Sequence, residues 1–231
     1  MKEKIFELEK EQQLIEEYID RFYEKGDGRL KPIRDGIINA EKYLSSHYKI
    51  CWILKEPYDD AGGGGSFSEM NQDDICKYRV IGSPSWEPLV LVTYSLLNGL
   101  LSYDDVLKND LSEIALSFQQ IAYMNIGKIS AGTSSGNMVK EYEFWKPILH
   151  WQLKKYEPQI IIFGNTFQHF QKDLYITDDE VKEGDSVVYA IKNGKIYIHA
   201  YHPAYVPMGI AKNIYVQGII DVVKNNINNI F

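Results

Sequence analysis

Four short stretches pair an apolar run with residues able to bind or polarise a ligand: "ILKEPYDD", "YMNIGKIS", "IIFGNTF" and "IHAYHPAY". They carry Glu56, Asn125, Gly164 with Asn165, and His202. A carboxylate such as Glu56 orients water or balances a developing cation, and Pro57 fixes the backbone just after it. The same carboxylate equally serves as a turn cap. Asn125 offers two donors and an acceptor, the pattern that reads a base edge, or it caps the turn after its strand. His202 precedes Pro203, which restrains its backbone towards an extended form. That makes it a better proton or hydrogen-bond donor than His199. The glycine run at 62–65 permits close backbone approach to a phosphate or a base. It is not a Walker A loop, because no Lys-Ser/Thr follows, and by itself it reads equally as a flexible loop.

Other chemistries find less support. His199 and His202 have no third ligand at suitable spacing, so no metal is expected. Cys51 and Cys76 are the only cysteines, too few for a disulfide framework or a four-thiolate zinc or iron–sulfur site. Cys76 has no base partner nearby, and Ser66 and Ser68 lack a G-x-S-x-G elbow. No cofactor is expected.

The elements that carry these residues follow from periodicity. Ile5, Leu8, Ile15, Ile19 and Phe22 recur at helical spacing over 3–24, ending in "KGDG". Pro32 suits the first turn of a second helix over 32–46. Residues 49–54 form a short buried strand, and a helix over 84–101 follows "GSPS" with Ser85 as its cap. A helix over 112–120 leads into a strand over 121–125, and another spans 140–155 with Pro147 as a break or kink. "QIIIFGN" is the clearest strand, Asn193-Gly194 marks a hairpin, and a last helix covers 209–229. Helices alternating with uniformly apolar strands predict an α/β fold: a three-layer α/β/α sandwich around a mostly parallel four-stranded sheet. Ligands of such sheets bind beyond the carboxyl ends of the strands, which is where the four stretches end. The chain reads as a single domain over 1–231, with 1–47 a helical addition.

Composition bounds the partners. The chain has 231 residues, 45% hydrophobic and 25% charged, ordinary values for a globular domain. Its longest apolar runs are too short to span a bilayer, and "MKEKIFELEKEQQ" lacks a secretory core, so a cytoplasmic protein without membrane contact is expected. A net charge of −7 argues against broad attraction to nucleic acid but leaves room for a local basic groove. Tyrosine is frequent, at 17 residues, which suits stacking surfaces and cores alike.

Taken in order, the four strand exits resemble the uracil-DNA glycosylase superfamily over about residues 48–225. The family's first motif is G-Q-D-P-Y-H, and "LKEPYD" occupies its place: Pro57 and Tyr58 match, and Glu56 stands where the family has its water-positioning Asp. "GSPSWEPLVLVTYSLL" is similar to the Pro/Ser loop and helix that follow. "IAYMN" resembles the strand ending in Asn, and "IIIFGNT" the later Gly-Ser loop, with Asn165 in place of Ser. "HPAYVP" resembles the final H-P-S-P-L-S motif, where His202 and Pro203 match.

The resemblance implies a monomeric DNA glycosylase that hydrolyses the N-glycosidic bond of uracil or another deaminated base. Glu56 would balance the sugar cation and His202 would donate to the departing base. Because the base must leave the stack, Phe67 would stack on it, Asn125 would read its edge and Tyr58 would stand against a thymine methyl. Val206 falls at the family's apolar wedge. Ser83, Ser85, Lys128, Gly164 and Asn165 would follow the DNA backbone. The departures are specific: Glu is one methylene longer than Asp, Val206 is smaller than the family's Leu, and the cysteines of the iron–sulfur branch are missing. A divergent substrate base fits these changes. Two rival readings remain: a non-catalytic binder of a nucleotide or modified base, and a small-molecule hydrolase, which lacks a visible nucleophile–base pair.

Overall fold

The computed structural model describes residues 1–23, 31–57, 64–70, 72–77, 80–129, 137–205 and 210–230. Its helices are α1 (Lys2–Tyr23), α2 (Ala40–Ser45), α3 (Gln72–Lys77), α4 (Glu87–Leu97), α5 (Tyr103–Val106), α6 (Leu111–Leu116), α7 (Met138–Tyr156), α8 (Phe167–Phe170) and α9 (Lys212–Asn226). The strands are β1 (Ile33–Arg34), β2 (Gly36–Ile37), β3 (Ile50–Leu54), β4 (Gly65–Ser66), β5 (Ala122–Asn125), β6 (Ile160–Gly164), β7 (Lys182–Glu183), β8 (Val188–Lys192) and β9 (Lys195–Ala200).

β3 is apolar at every position because both its faces are covered. Ile50, Trp52 and Leu54 face a core built with α4, α6 and α9, whereas Cys51 and Ile53 face a second core built with α1 and α7. The fold is therefore α/β with helices on both sides of the sheet. The sheet itself is larger than expected. It has seven strands in the order β2-β5-β3-β6-β9-β8-β7, not four. β5, β3, β6 and β9 run parallel, and β2, β8 and β7 add antiparallel edges. The Asn193-Gly194 turn joins β8 to β9 with φ of 52° and 69°, the left-handed pair that a tight hairpin demands. β1 and β4 form a small parallel pair of their own.

Local chemistry corrects several boundaries. The second helix shrinks to α2, because Asn39 caps it by accepting the Lys42 N–H at 2.9 Å. Ahead of it the chain is extended, and Gly36 takes φ of 135° where an added Cβ would lie 2.2 Å from the Tyr156 hydroxyl. α4 begins at Glu87 rather than after Ser85; it is Ser83 Oγ that accepts the Trp86 N–H, at 3.3 Å. α7 runs through Pro147 without interruption. The N-terminal segment contributes to the core and to the sheet. Ile15 and Ile19 of α1 are fully buried, and β2 pairs with β5 inside the main sheet. Among the described residues, no helix is long and apolar enough to cross a membrane.

Candidate functional site

Parallel pairing sets the four exits on one edge. Leu54 lies opposite Asn125, and Gly164 opposite Ala200, so β3, β5, β6 and β9 all end on the same side. With strands ~4.8 Å apart, the exits of β3 and β9 flank that of β6. Gly164 lets them close up. A Cβ there would lie 2.3 Å from Leu54 Cδ2 and 3.2 Å from Pro203 Cδ. Beyond β5 the ladder continues, with Ile126 N–H donating to Leu54 O at 2.9 Å and Gly127 N–H to Lys55 O at 2.8 Å.

Asn125 is fully buried, yet neither Oδ1 nor Nδ2 has a hydrogen-bond partner among the described residues. Leaving such groups unsatisfied costs about 1–3 kcal/mol each, which is why an orphaned carboxamide points to a ligand. Alternation puts it on the same face as Tyr123. The Tyr123 ring meets Phe67 edge-on at a centroid distance of 4.8 Å, and Trp86 stacks on Phe118 at 5.4 Å behind them. Phe67 enters this wall from a short turn capped by Ser66. The hydroxyls of Ser66 and Ser68 both donate to Glu16 of α1, at 2.9 and 3.0 Å. So α1 buttresses the turn that carries the aromatic ring.

Glu56 is half-buried and its Oε2 has no partner among the described residues. Burial pushes its carboxyl above the usual range, the nearby Glu141 adds to this, and Lys55 opposes it. Glu141, on α7, packs beside Gly127, which also adjoins Glu56. A Cβ at Gly127 would lie 3.3 Å from Glu141 Oε2 and 3.6 Å from Glu56 Cβ. Sequence reasoning missed Glu141 and Lys55. Glu141 is distant along the chain and carries no motif, and the glycine after Asn125-Ile126 was its one trace.

His202 is partly buried, and the Ala204 N–H donates to its Nδ1 at 3.2 Å. The neutral ring therefore carries its proton on Nε2, free to donate. Burial, with Lys55 acting in the same direction, holds its pKa down to about 4. Lys55 thus acts electrostatically on both Glu56 and His202. Unfolded, the ring takes its proton near pH 6.5; folded, near 4. Between those values the unfolded chain binds more protons, so His202 lowers stability as pH falls from about 6.5 to 4. His202→Gln should remove that loss. Thermal melts at pH 7 and pH ~4.5 are expected to show the variant gaining on the wild type at the lower pH; a constant difference would refute it.

The remaining expected contacts divide. Lys128 is no phosphate ligand: its side chain is fully buried and its ammonium bonds Asp35 Oδ1 and Oδ2 at 2.6 and 2.8 Å. It also donates to the Asn125 carbonyl at 2.8 Å and to Gln152 Oε1 at 3.2 Å. Ser83 and Ser85 sit, partly exposed, in the turn before α4. Asn165 takes φ of 61° and donates its N–H to Ala200 O at 2.8 Å, joining the exits of β6 and β9. Tyr58 and Val206 lie outside the described residues, as do Gly62 and Gly63. Gly64 approaches protein rather than open space, since a Cβ there would lie 2.8 Å from the Pro32 carbonyl oxygen. His199 stacks on Phe167 at 5.7 Å and lines a separate pocket of about 520 Å³ with Asn165 and Tyr201.

No protein-family model matches the chain, and no curated protein matches it significantly. Among the described residues, no group of three or more His, Cys, Asp or Glu side chains is arranged to hold a metal. What the edge offers is a buried carboxamide, an aromatic wall, a carboxylate and a neutral imidazole donor.

Proposed function

We propose that this protein excises uracil or another deaminated base from DNA, hydrolysing the N-glycosidic bond. The observation that carries the reading is the unpartnered, fully buried Asn125 carboxamide. Its donors and acceptor match the edge of a base, and it shares a sheet face with Tyr123 and the Phe67 ring, which can flank a base plane. Glu56 and His202 supply the charges the reaction needs. As the C1′–N bond breaks, the sugar becomes cationic and the base anionic. Glu56 offsets the first, and His202 Nε2–H hydrogen-bonds to the second. Water adds to C1′, and its released proton ends on the base anion, so that the products are the free base and the abasic sugar.

A second reading has its own support. Burial and Glu141 disfavour the charged form of Glu56, which weakens its power to balance a cation. The site would then bind a flipped or modified base without cleaving it. The test is base release from oligonucleotides carrying uracil, hypoxanthine or xanthine, single- and double-stranded, from pH 5 to 8.5. Release of one of them with first-order kinetics supports the enzyme. Tight binding without release at any pH supports the binder, and neither sinks both.

A further inference from the structure

Asp35 and Lys128 form an ion pair with neither side chain exposed. Apolar replacements of similar volume often match or exceed the stability of such pairs, so stability alone does not account for it. Its geometry does. β2 accompanies β5 only as far as Tyr123, through Gly36. Among the described residues, the edge of Asn125 facing β2 has no strand partner, and the ion pair takes the strand's place. Asp35 Oδ2 accepts the Asn125 N–H at 2.6 Å, and Lys128 Nζ donates to the Asn125 carbonyl oxygen at 2.8 Å. Both backbone groups of one residue are gripped by opposite members of one pair. Gln152 of α7 braces it, donating to Asp35 Oδ1 at 2.9 Å and accepting from Lys128 at 3.2 Å. Gln12 of α1 donates to the Asp35 carbonyl oxygen at 3.0 Å.

We propose that the buried Asp35–Lys128 pair is a positioning device that aims the Asn125 carboxamide at the edge of a bound base. This rests on the base-recognition reading of the site. Neither charge touches the ligand. With no protein hydrogen bond at the Asn125 side chain among the described residues, its direction is inherited from its backbone. Charge-assisted bonds on both sides hold that backbone more firmly than a ladder would.

The experiment compares wild type with Asp35→Leu/Lys128→Met, which removes both charges, and with Asp35→Asn/Lys128→Met, which keeps the volume at residue 35 and restores an acceptor for the Asn125 N–H. Free uracil, hypoxanthine and xanthine are titrated against ¹⁵N-labelled protein, following the Asn125 side-chain amide. Single-turnover base release is measured alongside. The first variant should stay folded, melting below wild type because the buried Asn125 N–H and carbonyl lose their partners. It should lose ~10–100-fold in affinity, the range seen when outer partners that orient a ligating group are removed. The second should recover part of the loss. Wild-type affinity and release in a folded Asp35→Leu/Lys128→Met protein overturn the inference and leave the functional reading intact. A wild-type Asn125 amide that responds to none of the three bases, in a protein that releases none, overturns both.

Discussion

Lys128→Met alone is expected to destabilise the protein by about 3–5 kcal/mol, the cost of stranding a charged partner in the interior. In a domain of this size each kcal/mol moves the thermal midpoint by roughly 2–4 °C, so the single variant should melt at least ~6 °C below wild type. Asp35 would then keep its bonds to the Asn125 N–H and to Gln152 but lose the ammonium that offsets its charge. Asp35→Leu/Lys128→Met should recover part of this loss, because no buried charge remains while the Asn125 N–H and carbonyl stay unpartnered. Equilibrium denaturation of the three proteins measures it. A single variant within ~2 °C of wild type would show that the interior tolerates a lone carboxylate there, and the pair would lose its claim to any structural weight.

Lys128 also marks the limit of what the sequence discloses. Lysines are seldom fully buried, so a lysine just beyond a ligand-bearing strand reads as a surface contact. Its partner, Asp35, lies far away on a stretch whose Pro32 mimics a helix start. Only the folded chain, with α1 supplying Gln12 and α7 supplying Gln152, brings them together. Features set by local chemistry were legible. β3 and β6 are apolar throughout because both faces are covered, and Asn193-Gly194 turns where its backbone preference says it should. The antiparallel edge strands were not, since β2 and β7 have two residues each, too few to show a period. The candidate residues Glu56, Asn125 and His202 stand out in the sequence as the ends of apolar runs. Glu141, which acts on Glu56 through space from α7, leaves no periodic or motif trace, and Lys55 beside Glu56 carries no sign of its electrostatic reach to His202.

The largest kinetic effects should fall on Glu56 and His202. Glu56→Gln keeps the side-chain shape while removing the charge, so folding and base binding should persist while base release slows by at least ~100-fold, the usual scale for one positioned catalytic group. His202→Ala should cost a comparable factor, because the leaving base then departs without a donor. The double variant should be little worse than either single, since both groups serve one charge-separated transition state. The pH profile adds a separate check. Glu56 must be ionised to act, and burial with Glu141 raises its carboxyl, so the acid limb of release should lie above the ordinary carboxylate value of about 4.3. Glu141→Gln should move that limb downward, whereas a change confined to the limb's height would place Glu141 outside the electrostatics of the site. His202, neutral above about 4, should add no limb near neutrality. Single-turnover release with each variant on the best base decides the matter. Wild-type rates for both Glu56→Gln and His202→Ala would leave this edge a binding surface, with Asn125 and Phe67 as its readers and the carboxylate as a bystander.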